Sequence, residues 1–135
     1  MKRKRKPQPQ ILQGLHVLVV EDHDDSRYIL EQSLRYCGAV VKAVRSATDA
    51  LRVMQRTRPD IIIADIAMPV YDGVWLLRQL RAQQQATGRY VPVVALTASV
   101  SRPIKTDFDE VLFKPCHIDK ICDVLLRLTK DLPRT

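Results

Sequence analysis

Apolar residues in this chain come in short blocks, and each block ends in a polar side chain. His16 to Val20 predicts a central strand running into Glu21-Asp22, and Ile61 to Ala64, entered through Pro59-Asp60, predicts one that delivers Asp65. Val91 to Leu96 ends in Thr97, and Val111-Leu112-Phe113 ends in Lys114-Pro115. The block before Asp65 is β-branched and almost uncharged, as a strand covered on both faces must be. Ala39 to Val44 is a weaker strand, expected nearer an edge. Between these blocks the period changes. Asp24 to Tyr36 carries Ile29, Leu30 and Leu34 at helical spacing, with Gly38 as its stop. Ser46 to Arg56 predicts a helix capped by Ser46, with Asp49 in an acidic variant of the capping box and Leu51 and Met54 facing the sheet. Asp72 or its neighbour starts a third helix with Val74, Leu76, Leu77 and Leu80 inward, a solvated Gln83-Gln84-Gln85 tail and Gly88 as its end. His117 to Leu132 predicts the last, with Ile118, Ile121, Cys122, Leu125 and Leu128 as its apolar stripe.

Strands alternating with helices argue for βαβ units on a parallel sheet. One segment breaks the rhythm. Parallel neighbours need a crossover, yet residues 98–110 contain Pro103 and few apolar residues, so one helical turn or an irregular loop is expected there. There is no internal repeat.

At 135 residues the chain fits one domain with a sufficient core. No apolar run approaches the ~20 residues of a membrane helix. The basic start is followed by Pro7-Gln8-Pro9-Gln10 rather than an apolar stretch, which makes a poor signal peptide. Cys37, Cys116 and Cys122 lack CxxC spacing, so reduced, structural thiols in a cytoplasmic protein are expected. Of the net charge of +7, Lys2-Arg3-Lys4-Arg5-Lys6 supplies five, so the basic character belongs mainly to the tail over residues 1–14. Such a tail is a solubilising extension, or touches nucleic acid, anionic lipid or an acidic partner.

The strand ends carry the chemistry. Open parallel sheets place their sites outside the C-terminal strand ends, which would bring Glu21, Asp22, Asp65, Thr97 and Lys114 to one rim. Carboxylates this close resist ionisation unless a cation relieves them, and Mg²⁺ takes this hard oxygen set while retaining waters. Asp65 is the nucleophile candidate, since a carboxylate forms an acyl phosphate. The metal, Lys114 and the Thr97 hydroxyl would share the charge of the transferring oxygens. Pro69 stiffens the loop after Asp65, Gly73 permits close backbone approach, and the backbone carbonyl of Ala67 is a further metal ligand candidate. There is no GxxxxGK[ST] loop and no GxGxxG. Asp65-Ile66-Ala67 also lacks the second aspartate that a hydrolase of the haloacid dehalogenase type uses as acid/base. The site suits accepting a phosphoryl group more than turning it over. His16, His23 and His117 have no mutual metal spacing and are expected to be structural or surface residues.

With VLVVED, PDIIIADIAMPVYDG, VPVVALTA and LFKP in this order, the chain resembles the receiver domain of two-component response regulators over about residues 15–132. The resemblance implies an α/β fold: one doubly wound five-stranded parallel sheet, order 2-1-3-4-5, in a three-layer sandwich with a shortened or irregular fourth helix. Residues 133–135 would be the C-terminal end. It implies that Asp65 is the phospho-acceptor, charged by a histidine kinase or histidine phosphotransfer protein, with at most slow self-catalysed transfer and dephosphorylation. Asp22, Asp65 and the Ala67 carbonyl would hold Mg²⁺ directly, Glu21 mainly through water. Thr97 would be the switch hydroxyl and Lys114 the ion-pair partner of the phosphoryl group. Two departures stand out. Val111 occupies the switch position where the family usually has an aromatic residue, and the Thr97 to Lys114 separation is short, with the deficit upstream of Phe108.

Three functions follow from these features. The first is a Mg²⁺-dependent phospho-acceptor with a downstream protein partner. The second is a receiver-fold interaction module with weak or no phosphorylation-dependent switching, as Val111 and the short crossover suggest. The third is weak nucleic-acid association through the basic tail. No fused DNA-binding effector is expected after the last helix, which leaves a stand-alone receiver, a relay intermediate or a domain of a longer protein.

Overall fold

A computed structural model describes residues 10–98 and 107–131. The apolar blocks are strands β1 (His16–Val20), β2 (Val40–Val44), β3 (Ile61–Ala64), β4 (Val93–Thr97) and β5 (Glu110–Phe113). The segments of helical period are α1 (Asp24–Tyr36), α2 (Ala47–Arg56), α3 (Gly73–Thr87) and α4 (Ile118–Thr129). All four strand pairings are parallel, in the order β2-β1-β3-β4-β5. β3 is apolar throughout, and β1 and β4 are apolar except for His16 and Thr97, because both faces are covered. Val17, Val19, Ile61, Ile63, Val94 and Leu96 pack against the α1 and α4 side. Leu18, Val20, Ile62, Ala64, Val93 and Ala95 alternate with them and pack against α2 and α3. The outcome is the expected three-layer sandwich.

Local chemistry sets the element ends. The α1 helix is capped by the His23 ring, whose Nδ1 accepts the Ser26 N–H at 3.2 Å. Ser46 caps α2 by accepting the Asp49 N–H at 3.1 Å, while the Asp49 carboxylate pairs with Arg52. Gly38 sits at φ +97°, and a Cβ there would lie 2.7 Å from the Gln10 backbone, so the turn after α1 requires glycine. At the entry to β5, Asp109 accepts from the Val93 N–H at 2.7 Å and pairs with Arg81 at 2.9 Å.

Several boundaries differ from expectation. β4 starts at Val93, not Val91, because Pro92 has no N–H to give a ladder. β2 starts at Val40, since the Ala39 N–H turns back to the Leu34 carbonyl at 3.1 Å. α4 ends at Thr129, where Lys130 is the C-cap, and it starts after His117, whose ring accepts the Asp119 N–H at 3.1 Å. Ile29 faces solvent, and Val124 joins the buried stripe of α4. The packed domain also begins before residue 15: Leu12 is fully buried and its N–H donates to the Cys37 carbonyl at 2.7 Å. The expectations for residues 1–9, for the crossover at 99–106 and for residues 132–135 lie outside the described residues. Cys37, Cys116 and Cys122 are free thiols. Burial and the neighbouring Cys37 push the Cys122 thiol up to about 12, which leaves it inert as a nucleophile.

Candidate functional site at the C-terminal rim of the sheet

Register alone brings the acidic residues together. Val20 pairs with Ala64 across β1 and β3, so the residues that follow each strand, Glu21-Asp22 and Asp65, emerge side by side. Each backbone is tied to its neighbour: Asp65 N–H donates to Val20 at 3.0 Å, Glu21 N–H to Val44 at 3.0 Å, and Lys114 N–H to Thr97 at 2.9 Å. The rim is therefore fixed by the sheet ladder rather than by a free loop.

The side chains converge on this frame. Glu21 is buried, Asp65 nearly so, and Asp22 opens to solvent. Carboxylate oxygens of the three lie within 4.8 Å of one another. Lys114 Nζ donates to Glu21 Oε1 and reaches Asp65 Oδ2 at 3.3 Å. The Ala67 N–H holds the other Asp65 oxygen, Oδ1, at 3.1 Å. Thr97 is fully buried at the end of β4. Val111 stands beside Ala95 in the β4–β5 register and packs on the α2/α3 side. All of the rim residues expected from the sequence are thus placed on one edge, with Val111 further back in β5.

Electrostatics state what this rim lacks. Burial alone would lower the Lys114 pKa, but the Glu21 hydrogen bond and the Asp65 charge outweigh it, and the pKa lies above the ordinary lysine value. The ammonium is therefore held charged. Against it stand three carboxylates, so two negative charges remain uncompensated. A hard divalent cation supplies that charge and accepts an all-oxygen donor set. The three carboxylates lie close enough to share such an ion, and Asp22 faces solvent.

Two supporting residues keep the rim in shape. Arg27, on the first turn of α1, donates to the Glu21 carbonyl at 3.0 Å and pairs with Asp24 at 2.6 Å, clamping the acidic turn to its helix. Its pairing with Asp24 is at sequence-readable i,i+3 spacing, whereas its bond to the Glu21 carbonyl is one that sequence does not show. Gly73 opens α3, where a Cβ would meet the Asp65 carbonyl oxygen at 2.6 Å and the Ile66 Cα at 2.8 Å. Its N–H donates to the Ile66 carbonyl at 2.9 Å. Glycine there lets α3 start against the backbone that carries Asp65, as its spacing predicted. Asp72 caps the same helix by accepting the Trp75 N–H at 2.9 Å.

Comparison with known proteins agrees with this geometry. The family model of the response regulator receiver domain matches residues 17–126. The sensory/regulatory protein RpfC of Xanthomonas campestris pv. campestris is 36% identical over 122 residues, which are 87% of this chain and 17% of that protein. Response regulator MprA of Mycobacterium leprae is 34% identical over 86% of this chain and 53% of its own length. The chain thus spans about half or less of these relatives. Among solved structures, the receiver domain of sensor histidine kinase PA1611 from Pseudomonas aeruginosa superposes with a TM-score of 0.79 at 32% identity, covering 87% of this chain and 99% of that one. That structure has a magnesium ion coordinated in its active site cleft.

Proposed function

Because the chain belongs to the response regulator receiver domain family, we propose that Asp65 accepts a phosphoryl group from a phosphohistidine of a histidine kinase or histidine phosphotransfer protein. The observation that carries the reading is the position of Asp65. One of its oxygens is held by the Ala67 amide, the other faces the Lys114 ammonium, and two further carboxylates stand alongside. An Asp65 oxygen attacks phosphorus, the phosphorus–nitrogen bond breaks, and imidazole leaves with its electron pair and takes up a proton. An acyl phosphate results.

Asp22, Asp65 and the Ala67 carbonyl, with Glu21 acting through water, would hold Mg²⁺, which would supply charge compensation for the phosphoryl oxygens. Lys114 then exchanges its carboxylate partners for a phosphoryl oxygen, and the Thr97 hydroxyl closes on the same group. No acid/base partner stands two residues beyond Asp65, where Ala67 sits, so self-catalysed transfer and dephosphorylation are slow. This is an acceptor in a signalling relay rather than a turnover enzyme, working in the cytoplasm toward a downstream protein partner. Val111 at the switch position favours a second reading, an interaction module that signals little through phosphorylation.

The test is intact mass after incubation with acetyl phosphate, with Mg²⁺ or with EDTA, beside Asp65→Asn. A gain of one phosphoryl group that needs both Mg²⁺ and Asp65 supports the acceptor. No adduct under conditions that label another receiver domain overturns it in favour of the interaction module.

A further inference from the structure

The opposite end of the sheet carries a second charged surface of the other sign. α2 covers the sheet near Val44 but ends at Arg56, so the start of β2 is left open on that side. Val40, 53% exposed, and Lys42 lie on this uncovered stretch. The result is a groove of about 1180 Å³ between β2, β1 and the C-terminal half of α2. Its exposed apolar surface comes from Val40 and the partly buried Val53, over buried Leu18 and Pro59, and its cations are Lys42, Arg52, Arg56, Arg58 and Arg89.

The charge in this groove is available. Arg52 pairs with Asp49 on its own helix, and Asp60 accepts the His16 N–H at 2.9 Å. No carboxylate among the described residues pairs with Lys42, Arg56, Arg58 or Arg89. A smaller depression of about 260 Å³ adjoins it, shares residues 55–58 and Arg89, and has Met54, Leu80 and Val91 among its walls. The cationic strip therefore runs on across two hollows.

We propose that this groove docks an extended acidic polypeptide segment with aliphatic residues among its carboxylates. Each exposed ion pair contributes little by itself, so a compact anion touching one or two arginines would bind weakly, whereas an extended chain engages several at once. The aliphatic floor takes aliphatic side chains. A single-stranded nucleic acid would call for aromatic platforms, and no Phe, Tyr or Trp lines the groove. The groove lies at the strand starts and Asp65 at the strand ends, so a partner held here leaves the acidic rim open.

The test is fluorescence anisotropy on the full chain, with a fluorescein-labelled peptide of Glu-Glu-Leu repeats and a single-stranded oligonucleotide of equal charge. The peptide is expected to bind more tightly. Arg56→Glu combined with Arg58→Glu should weaken it about tenfold or more. Val40→Asp should weaken it as well, while changing Lys2, Arg3, Lys4, Arg5 and Lys6 to serine should leave it within about twofold. An unchanged unfolding midpoint, read from Trp75 fluorescence, shows that the variants fold. Tighter binding of the oligonucleotide makes the site a nucleic-acid surface and overturns the proposal. So does peptide binding that survives the groove variants but is lost with the basic tail, or no peptide binding at all.

Discussion

At the C-terminal ends of β1, β3 and β5, charged groups are held in place. Glu21 and Asp65 are 3% and 9% exposed, Lys114 bridges them, and their backbones are hydrogen-bonded to the neighbouring strands or, for Lys114, to Thr97. At the other end of the same sheet, Arg56, Arg58 and Arg89 stand in solvent with no carboxylate of the described residues against them. Folding has arranged the first set and merely collected the second. Chemistry that must place an oxygen beside a phosphorus atom needs the first kind of construction. A surface that attracts a polyanion needs only the second, because its contribution is spread over many weak contacts. Single substitutions should therefore act strongly at the rim and weakly in the groove.

The hardest blow to the rim requires no change of charge. Gly73→Ala places a methyl group 2.6 Å from the Asp65 carbonyl oxygen and 2.8 Å from the Ile66 Cα, both of them backbone. Either α3 or the Asp65 backbone must move. The expected cost is about 1–3 kcal/mol of stability, read from urea unfolding, together with a marked loss of phosphoryl incorporation at Asp65. Arg56→Ser in the groove serves as the contrast, with a stability change within about 0.5 kcal/mol. Equal effects at the two positions would erase the distinction between a built site and a collected one.

Lys114→Met probes the same distinction through charge. It leaves Glu21 and Asp65 without their shared cation, at a cost of about 1–3 kcal/mol near neutral pH. The raised Lys114 pKa means that the native state holds this proton more tightly than the unfolded chain does. Its stabilisation is complete below the ordinary value of 10.5 and is lost as pH rises through the higher folded value. Urea titrations from neutral pH to above pH 10.5 should show this fall in the wild type and a flatter response in Lys114→Met. Mg²⁺ should stabilise the variant more than the wild type, because the rim then carries one more uncompensated negative charge.

Sequence and structure agree best where one force dominates. The uncharged runs before Glu21, Asp65 and Thr97 fixed the strands and, through the parallel order, the rim itself, because a strand buried on both faces admits few alternatives. Gly73 was legible for a similar reason, since its place after Asp72 allowed one steric role. The failures share a cause as well. The start of β4 is set by Pro92, the end of α4 by its C-cap at Lys130 and the turn at residues 10–14 by one buried leucine, none of which periodicity resolves. Arg27 follows the VLVVED motif and pairs with Asp24, but its bond to the Glu21 carbonyl has no side-chain signature. The basic groove escaped notice because net charge assigned most of the excess to the tail. Folding brought Lys42, the Arg56–Arg58 stretch and Arg89 together from three separate segments.

Val70 sharpens the comparison with the smallest effect. It is 91% exposed and sits at φ +68°, a left-handed conformation that a β-branched residue resists. The strain has a local origin: the Tyr71 N–H reaches back to the Pro69 carbonyl at 2.9 Å, and Tyr71 stacks on Trp75 with ring centroids 4.2 Å apart. The loop is thereby folded tightly between Asp65 and the start of α3. Left-handed backbone costs an L-residue about 1–2 kcal/mol, whereas asparagine tolerates it better and avoids the added chain entropy of glycine. Almost no packing is lost with the valine side chain. Val70→Asn should therefore raise stability by about 0.5–1 kcal/mol, measured as a shift of the urea midpoint at unchanged slope, with phosphoryl incorporation retained. A gain would show that the rim is held against a local backbone cost that an exposed side chain does not repay. A loss would mean that the Val70 side chain contributes something other than packing, and would move it from the frame of the site to its contact surface.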